Sequence, residues 1–188
     1  MKRTFLLLLL QVTIFTSCMD VLNTPEKNVK FQDVVIENRY GIKLPSYMKV
    51  TTELNDEASL QYMNALKETY CVIIDEPSKD FVDVFKDSGE YIDSLSVAKN
   101  YQMIQMSSFK EVIVDFKTSS PRNFRNKKLI SVIQEASGIV EGHKIAYSFS
   151  FIQGKENIYM VICWTLYDRK KRYQDTFQSV LKSFYELK

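Results

Sequence analysis

The segment Asn157–Tyr167 constrains the fold of this 188-residue chain more than any other stretch. Ile158, Met160, Ile162, Trp164 and Leu166 alternate onto one side of an extended strand, while Val161 and Cys163 keep the other side largely apolar. Successive side chains of a strand point to opposite faces, so a strand with two apolar faces needs cover on both. Two more strand-like segments precede it, Lys128–Val140 and His143–Gln153, joined by the short turns Glu141-Gly142 and Gly154-Lys155-Glu156. Connections this short make the three an antiparallel meander. The expected class is α+β: a predominantly antiparallel sheet flanked by helices on both faces, a three-layer α/β/α sandwich in a single domain.

The rest of the chain supplies those layers. Tyr40, Ile42 and Leu44 alternate through Arg39–Pro45, predicting a strand that Pro45 stops. After a connection over Ser46–Glu57, Ser59–Ala65 and Thr69–Asp75 predict a hairpin, the second segment rich in strand formers. Ser78 is the expected N-cap of a short helix reaching about Lys86, with Phe81, Val82 and Phe85 on one side. Leu95, Ala98, Tyr101, Ile104 and Met106 recur at helical spacing within Ser94–Phe109. Thr118–Lys128 has little apolar content and reads as an exposed, mobile loop. Asp168 is the expected N-cap of a last helix carrying Tyr173, Phe177, Val180, Leu181 and Phe184 toward the sheet.

The N-terminus predicts where this domain resides. Met1-Lys2-Arg3 precedes an apolar run, Phe5–Phe15, whose eleven residues suit a signal-peptide core. A membrane-spanning helix needs about 20. Ordinary secretory cleavage before Cys18 would require a small residue at Phe15, so simple secretion fits poorly. Phe15-Thr16-Ser17-Cys18 instead resembles a bacterial lipoprotein signal, departing from it in carrying Phe where Leu is usual. That resemblance implies removal of residues 1–17 and acylation of Cys18, with palmitate among the acyl groups, followed by an anchor and flexible stalk over residues 18–38 and a domain over 39–188. Two or more acyl chains make attachment effectively permanent. The polar run Met19–Lys30 would let the domain work up to ~40 Å from its membrane. The expected location is the cell envelope, with the outer membrane favoured.

Charge narrows the choice of partners. The 25 basic residues less Lys2 and Arg3 leave 23, against 23 acidic ones, so the mature chain is neutral and offers no general attraction to nucleic acid. Arg169-Lys170-Lys171-Arg172 opens the last predicted helix, where the dipole already disfavours cations. Together with Arg122, Arg125, Lys127 and Lys128 it is a candidate patch for an anion, an acidic partner or lipid headgroups, if loop and helix meet in space. A solvated basic face offset by Asp168 and Asp175 is the simpler reading.

Catalytic and metal chemistry find little support. His143 is the single histidine and lies at a predicted turn. Neither a Gly-rich phosphate loop nor a Gly-x-Ser-x-Gly elbow is present. Asp75, Glu76, Asp80 and Asp83 suit the start of a helix, and the calcium-loop pattern is missing, so no metal and no cofactor is expected. Cys71 and Cys163 sit in apolar strand-like runs. Buried free thiols are the simpler expectation, and pairing in an oxidising compartment would require Cα atoms within ~7 Å.

The early Tyr40-Gly41-Ile42-Lys43-Leu44-Pro45, the meander ending Tyr159-Met160-Val161-Ile162-Cys163-Trp164-Thr165, and the terminal helix ending Ser183-Phe184 together resemble the PsbP-like superfamily of α/β/α sandwiches. The stretch Leu54–Tyr62 is also similar to uncharacterised lipoproteins of Bacteroides-type bacteria. The superfamily resemblance implies assembly factors or binding subunits rather than enzymes. The expected function is a membrane-anchored, non-enzymatic binding or accessory protein with an envelope protein as partner. A carrier of a small ligand or anionic lipid is the alternative.

Overall fold

The computed structural model describes residues 24–126 and 129–187. Cys18, Lys127, Lys128 and the expected signal peptide lie outside the described residues.

The described chain runs β1 (Phe31–Ile36), β2 (Tyr40–Pro45), β3 (Lys49–Val50), β4 (Leu60–Asn64), β5 (Thr69–Pro77), α1 (Ser78–Asp87), α2 (Val97–Val112), β6 (Val114–Thr118) and β7 (Arg122–Asn126). It continues through β8 (Leu129–Val140), β9 (His143–Gln153), β10 (Asn157–Leu166), a 3₁₀ turn (Tyr167–Arg169), α3 (Lys170–Ser183) and β11 (Tyr185–Glu186). The main sheet has the order β3-β4-β5-β10-β9-β8-β6, with β7 also pairing with β8. Every pairing in it is antiparallel. A second, small sheet has the order β1-β2-β11.

The two faces of β10 explain the layering. Ile158, Met160 and Ile162 join Val72, Phe149 and Phe151 in a core closed by Phe81 of α1 and by Ala98, Tyr101 and Met106 of α2. Val161 and Cys163 join Cys71 and Ile73 in a second core closed by Tyr173, Phe177, Val180 and Leu181 of α3 and by Tyr40, Ile42 and Leu44 of β2. Each fully buried large apolar side chain contributes about 1.5–3 kcal/mol, so the cover on both faces is what makes this strand stable. The expected three-layer α+β architecture is the one observed.

Several boundaries differ from expectation. The ordered body begins before Arg39: β1 pairs along its whole length with β2, from Phe31↔Pro45 to Ile36↔Tyr40. Glu37 and Asn38 make the turn, both with left-handed φ (45° and 53°), which matches the twist of a tight hairpin. Glu26 is also held, with its carboxylate bonded to Lys67 Nζ and Tyr47 Oη at 2.9 Å each. The expected stalk therefore does not extend to residue 38. Arg122–Asn126, expected as loop, is a strand in register with β8 from Arg122↔Ile133 to Asn126↔Leu129. Ser78 is the first residue of α1 and Pro77 holds the cap position. Asp168 lies in the 3₁₀ turn, so α3 starts at Lys170 without a side-chain cap.

Candidate functional site

A cleft of about 1060 Å³ opens at the end of the main sheet where the β9–β10 turn meets the C-terminal strand. Its size lies just above the range of small-ligand sites, about 300–1,000 Å³. Leu129, Tyr159 and Phe184 give it an apolar floor, and Asn38, Arg39, Gln153 and Asn157 give it polar walls.

Two glycines shape the site by what they lack. Tyr185 pairs with Gly41 across β11 and β2, and a Cβ at Gly41 would sit 2.2 Å from the tyrosine ring. A Cβ at Gly154 would sit 2.4 Å from Glu186 Oε1. The Glu186 carboxylate accepts the Lys155 N–H at 3.0 and 3.2 Å and the Tyr159 hydroxyl at 3.1 Å. Tyr185 donates its hydroxyl to Asp33 at 3.1 Å. The last strand is thereby tied to the β9–β10 turn, to β10 and to β1, and it forms one wall of the cleft.

A second polar cluster beside the cleft is organised around Asp75, whose side chain is only 6% exposed. Arg39 pairs with it through Nη1, Ser59 donates to it, and Asn157 Nδ2 donates at 3.3 Å. Ser59 also bonds the Tyr40 hydroxyl at 2.6 Å. Burial, with the nearby Glu186 carboxylate, pushes the Tyr159 phenol well above its ordinary range. Burial likewise pushes the Tyr40 phenol up. Both carboxylates, Asp75 and Glu186, thus accept hydrogen bonds from the chain's own groups. The Oε1 atom of Gln153 is buried and has no partner among the described residues. It is a buried acceptor that the described chain leaves without a donor.

Among the described residues, several of the basic side chains singled out in the sequence already have partners, and Arg122 and Arg125 lie on opposite sides of the sheet. Lys170 is paired with Glu135 at 2.9 Å, and Gln174 and Gln178 also reach that carboxylate. Arg169 donates to the Leu66 carbonyl at 3.3 Å, and Arg172 lies over the Tyr173 ring. Lys171 is exposed. Arg122 stands opposite Ile133, which belongs to the α3 core, so its side chain shares the α3 side of the sheet. Arg125 stands opposite Ile130, which packs on the α1/α2 core, and so points to the other side.

His143 is exposed at the start of β9. Asp80 and Asp83 lie on α1, where Lys79 pairs with Asp83. Among the described residues no group of three or more His, Cys, Asp or Glu side chains converges as metal ligands would. No helix among them is long and apolar enough to cross a membrane. Cys71 and Cys163 are both buried and face each other across β5 and β10, with Sγ atoms 3.5 Å apart.

Sequence reasoning did not find Arg39, Gln153, Asn157 or Glu186 as site residues. Arg39 and Asn157 are ordinary polar residues at strand ends, and Glu186 follows a helix whose pattern stops at Phe184. Only the Gly154-Lys155-Glu156 turn marked this end of the sheet. The pairing of β11 with β2, which no local pattern encodes, brings Glu186 to that turn.

No protein-family model matches the chain, and no curated protein matches it in sequence. Solved structures match it in shape. It superposes on the cyanobacterial PsbP (CyanoP) of Synechocystis with TM-score 0.58 at 11% identity, over 88% of this chain and 99% of that one. It superposes on LpqN of Mycobacterium tuberculosis, a protein involved in cell envelope biogenesis, with TM-score 0.56 at 11% identity, over 86% and 93% of the two chains. A Pseudomonas aeruginosa protein of unknown function overlaps with TM-score 0.49 at 11% identity, over 81% and 94%. The layer order, the antiparallel meander and the superpositions on CyanoP and LpqN identify the fold as a PsbP-like α/β/α sandwich.

Proposed function

We propose that this chain is a non-enzymatic binding or accessory protein of the cell envelope, held to a membrane through acyl chains on Cys18, that docks an envelope partner at the sheet-end cleft. The observation that carries the reading is the state of the cleft's polar groups. Asp75 and Glu186 are engaged by structural donors, while Gln153, which lines the cleft, keeps a buried Oε1 without a donor among the described residues. The fold shared with LpqN, whose own role is in envelope biogenesis, agrees with that setting.

Crosslinking in native membranes tests it. The full chain should retrieve a reproducible partner, and Leu129→Trp, which fills the cleft floor, should lose that partner while keeping its thermal transition. Retention of the partner by the filled variant would remove the cleft from the account. Loss of the partner from Cys18→Ala would tie docking to the anchor.

A second reading, a carrier of a small amphipathic ligand or anionic lipid, draws on the same cleft. Its lining combines the apolar side chains of Leu129, Tyr159 and Phe184 with Arg39, a cation already shared by Asp75 and Glu37, and suits a molecule with an apolar body and a polar head. Native mass spectrometry of protein released gently from membranes separates the two readings. A bound small molecule favours the carrier, and an empty chain with a crosslinked protein favours the adaptor.

A further inference from the structure

We propose that Cys71 and Cys163 are the two halves of a cross-strand disulfide, formed as the chain folds, that fastens β5 to β10 at the centre of the main sheet. The two residues are direct partners in the antiparallel register, Cys163↔Cys71, so their side chains leave the same face. Directly opposed residues of such a pair have Cα atoms about 4.5–5.5 Å apart, inside the range that a disulfide bridges. Their sulfurs already lie 3.5 Å apart. A bond needs about 2.05 Å, so the sulfurs have roughly a further 1.5 Å to close.

Burial decides when the bond forms. Cys71 is 1% and Cys163 0% exposed, so no oxidant reaches either sulfur in the closed sheet. Burial also pushes the Cys163 thiol well above its ordinary range, with Cys71 adding to the effect, and the thiol rather than the reactive thiolate persists. Exchange therefore precedes closure of the sheet. One cysteine thiolate attacks a small-molecule or protein disulfide and displaces one donor thiolate, giving a mixed disulfide. The second cysteine thiolate then attacks the protein-side sulfur and displaces the other donor thiolate. Two protein thiols are oxidised and one donor disulfide is reduced to two thiols, the two protons given up by the cysteines being taken up by the departing donor thiolates. An oxidising envelope compartment, part of the proposed location, supplies such donors.

Full-length Cys18→Ser protein, which leaves only these two thiols, is unfolded in reductant and refolded in oxidised glutathione. The product should be a monomer about 2 Da lighter than the reduced chain, and a maleimide added in denaturant should find no thiol. Protein refolded in reductant should resist maleimide until it is denatured, then take up two labels. Because the bond closes a loop between residues 92 positions apart, oxidation should raise the melting temperature by roughly 5–15 °C, and prior reduction should abolish the gain. Cys71→Ala in the Cys18→Ser chain, which leaves Cys163 alone, should form no intrachain disulfide under the same treatment. If that variant does not fold, the mass and labelling of the Cys18→Ser protein still decide the matter. A natively folded product bearing two labelled thiols after oxidative refolding would overturn the assignment, as would disulfides found only between chains.

Discussion

Tyr185 lies so close over Gly41 that a methyl group on that glycine would meet the phenol ring at 2.2 Å. The backbone of Gly41 is not in the left-handed region, so its role is to make room rather than to supply an unusual conformation. Two residues far apart in the chain thereby fix where the C-terminal strand crosses the small sheet and where the cleft has its wall.

Replacing Gly41 by Ala should destabilise the protein by about 1–3 kcal/mol, the usual cost of overpacking. Because the cause is the ring and not the backbone, Gly41→Ala should cost much less in a Tyr185→Ala background. Urea unfolding of the four proteins of this double-mutant cycle checks it, and additive effects would contradict the contact as the cause.

Glu186→Ala should release the last strand. It strips an acceptor from the Lys155 amide and from the Tyr159 hydroxyl, at a cost of about 1–3 kcal/mol. Glu186→Gln keeps an acceptor oxygen and should lose less. Amide exchange should rise at Lys155 in the alanine variant and remain low at strand β10.

Arg39→Met should expose the dependence of the cleft on its ion pair. It leaves the Asp75 carboxylate buried with only Ser59 and Asn157 as donors, and roughly 1–3 kcal/mol of stability should be lost. Asp75→Asn in the same chain removes the stranded charge and should recover part of the loss, measured as a shift in the urea midpoint.

The pH profile should carry the signature of Glu76. Burial raises its carboxyl above the ordinary value of 4.5, with Asp80 and Glu57 adding repulsion. The folded state therefore binds this proton more tightly than the unfolded state. Stability from this group is fully present below the unfolded value and is lost as pH rises through the folded one. Glu76→Gln should raise the melting temperature more at pH 7 than at pH 4, and an increment independent of pH would contradict the assignment.

These cases mark what a linear pattern reveals. Val161 and Cys163 opposite the Ile158–Leu166 row announced a strand covered on both sides, and Tyr173, Phe177, Val180 and Leu181 announced the helix that covers one of them. Strand β1 was hidden because Phe31, Asp33 and Val35 face outward while Gln32, Val34 and Ile36 are only half-buried, so neither face reads as clearly apolar or polar. Strand β7, Arg-Asn-Phe-Arg-Asn, takes its conformation from its ladder with β8 rather than from its own residues. The cleft was hidden for the same reason at longer range. Arg39, Asp75, Asn157 and Glu186 meet only after four separate elements have paired.

The most direct measurement of the central claim places a photocrosslinking residue at Asn38 on the cleft rim, or at the exposed Val84 on α1, in otherwise intact chains recovered from native membranes. The account predicts acyl mass on Cys18 and one partner captured from Asn38 but not from Val84. An unacylated Cys18, or equal capture from both positions, would contradict it.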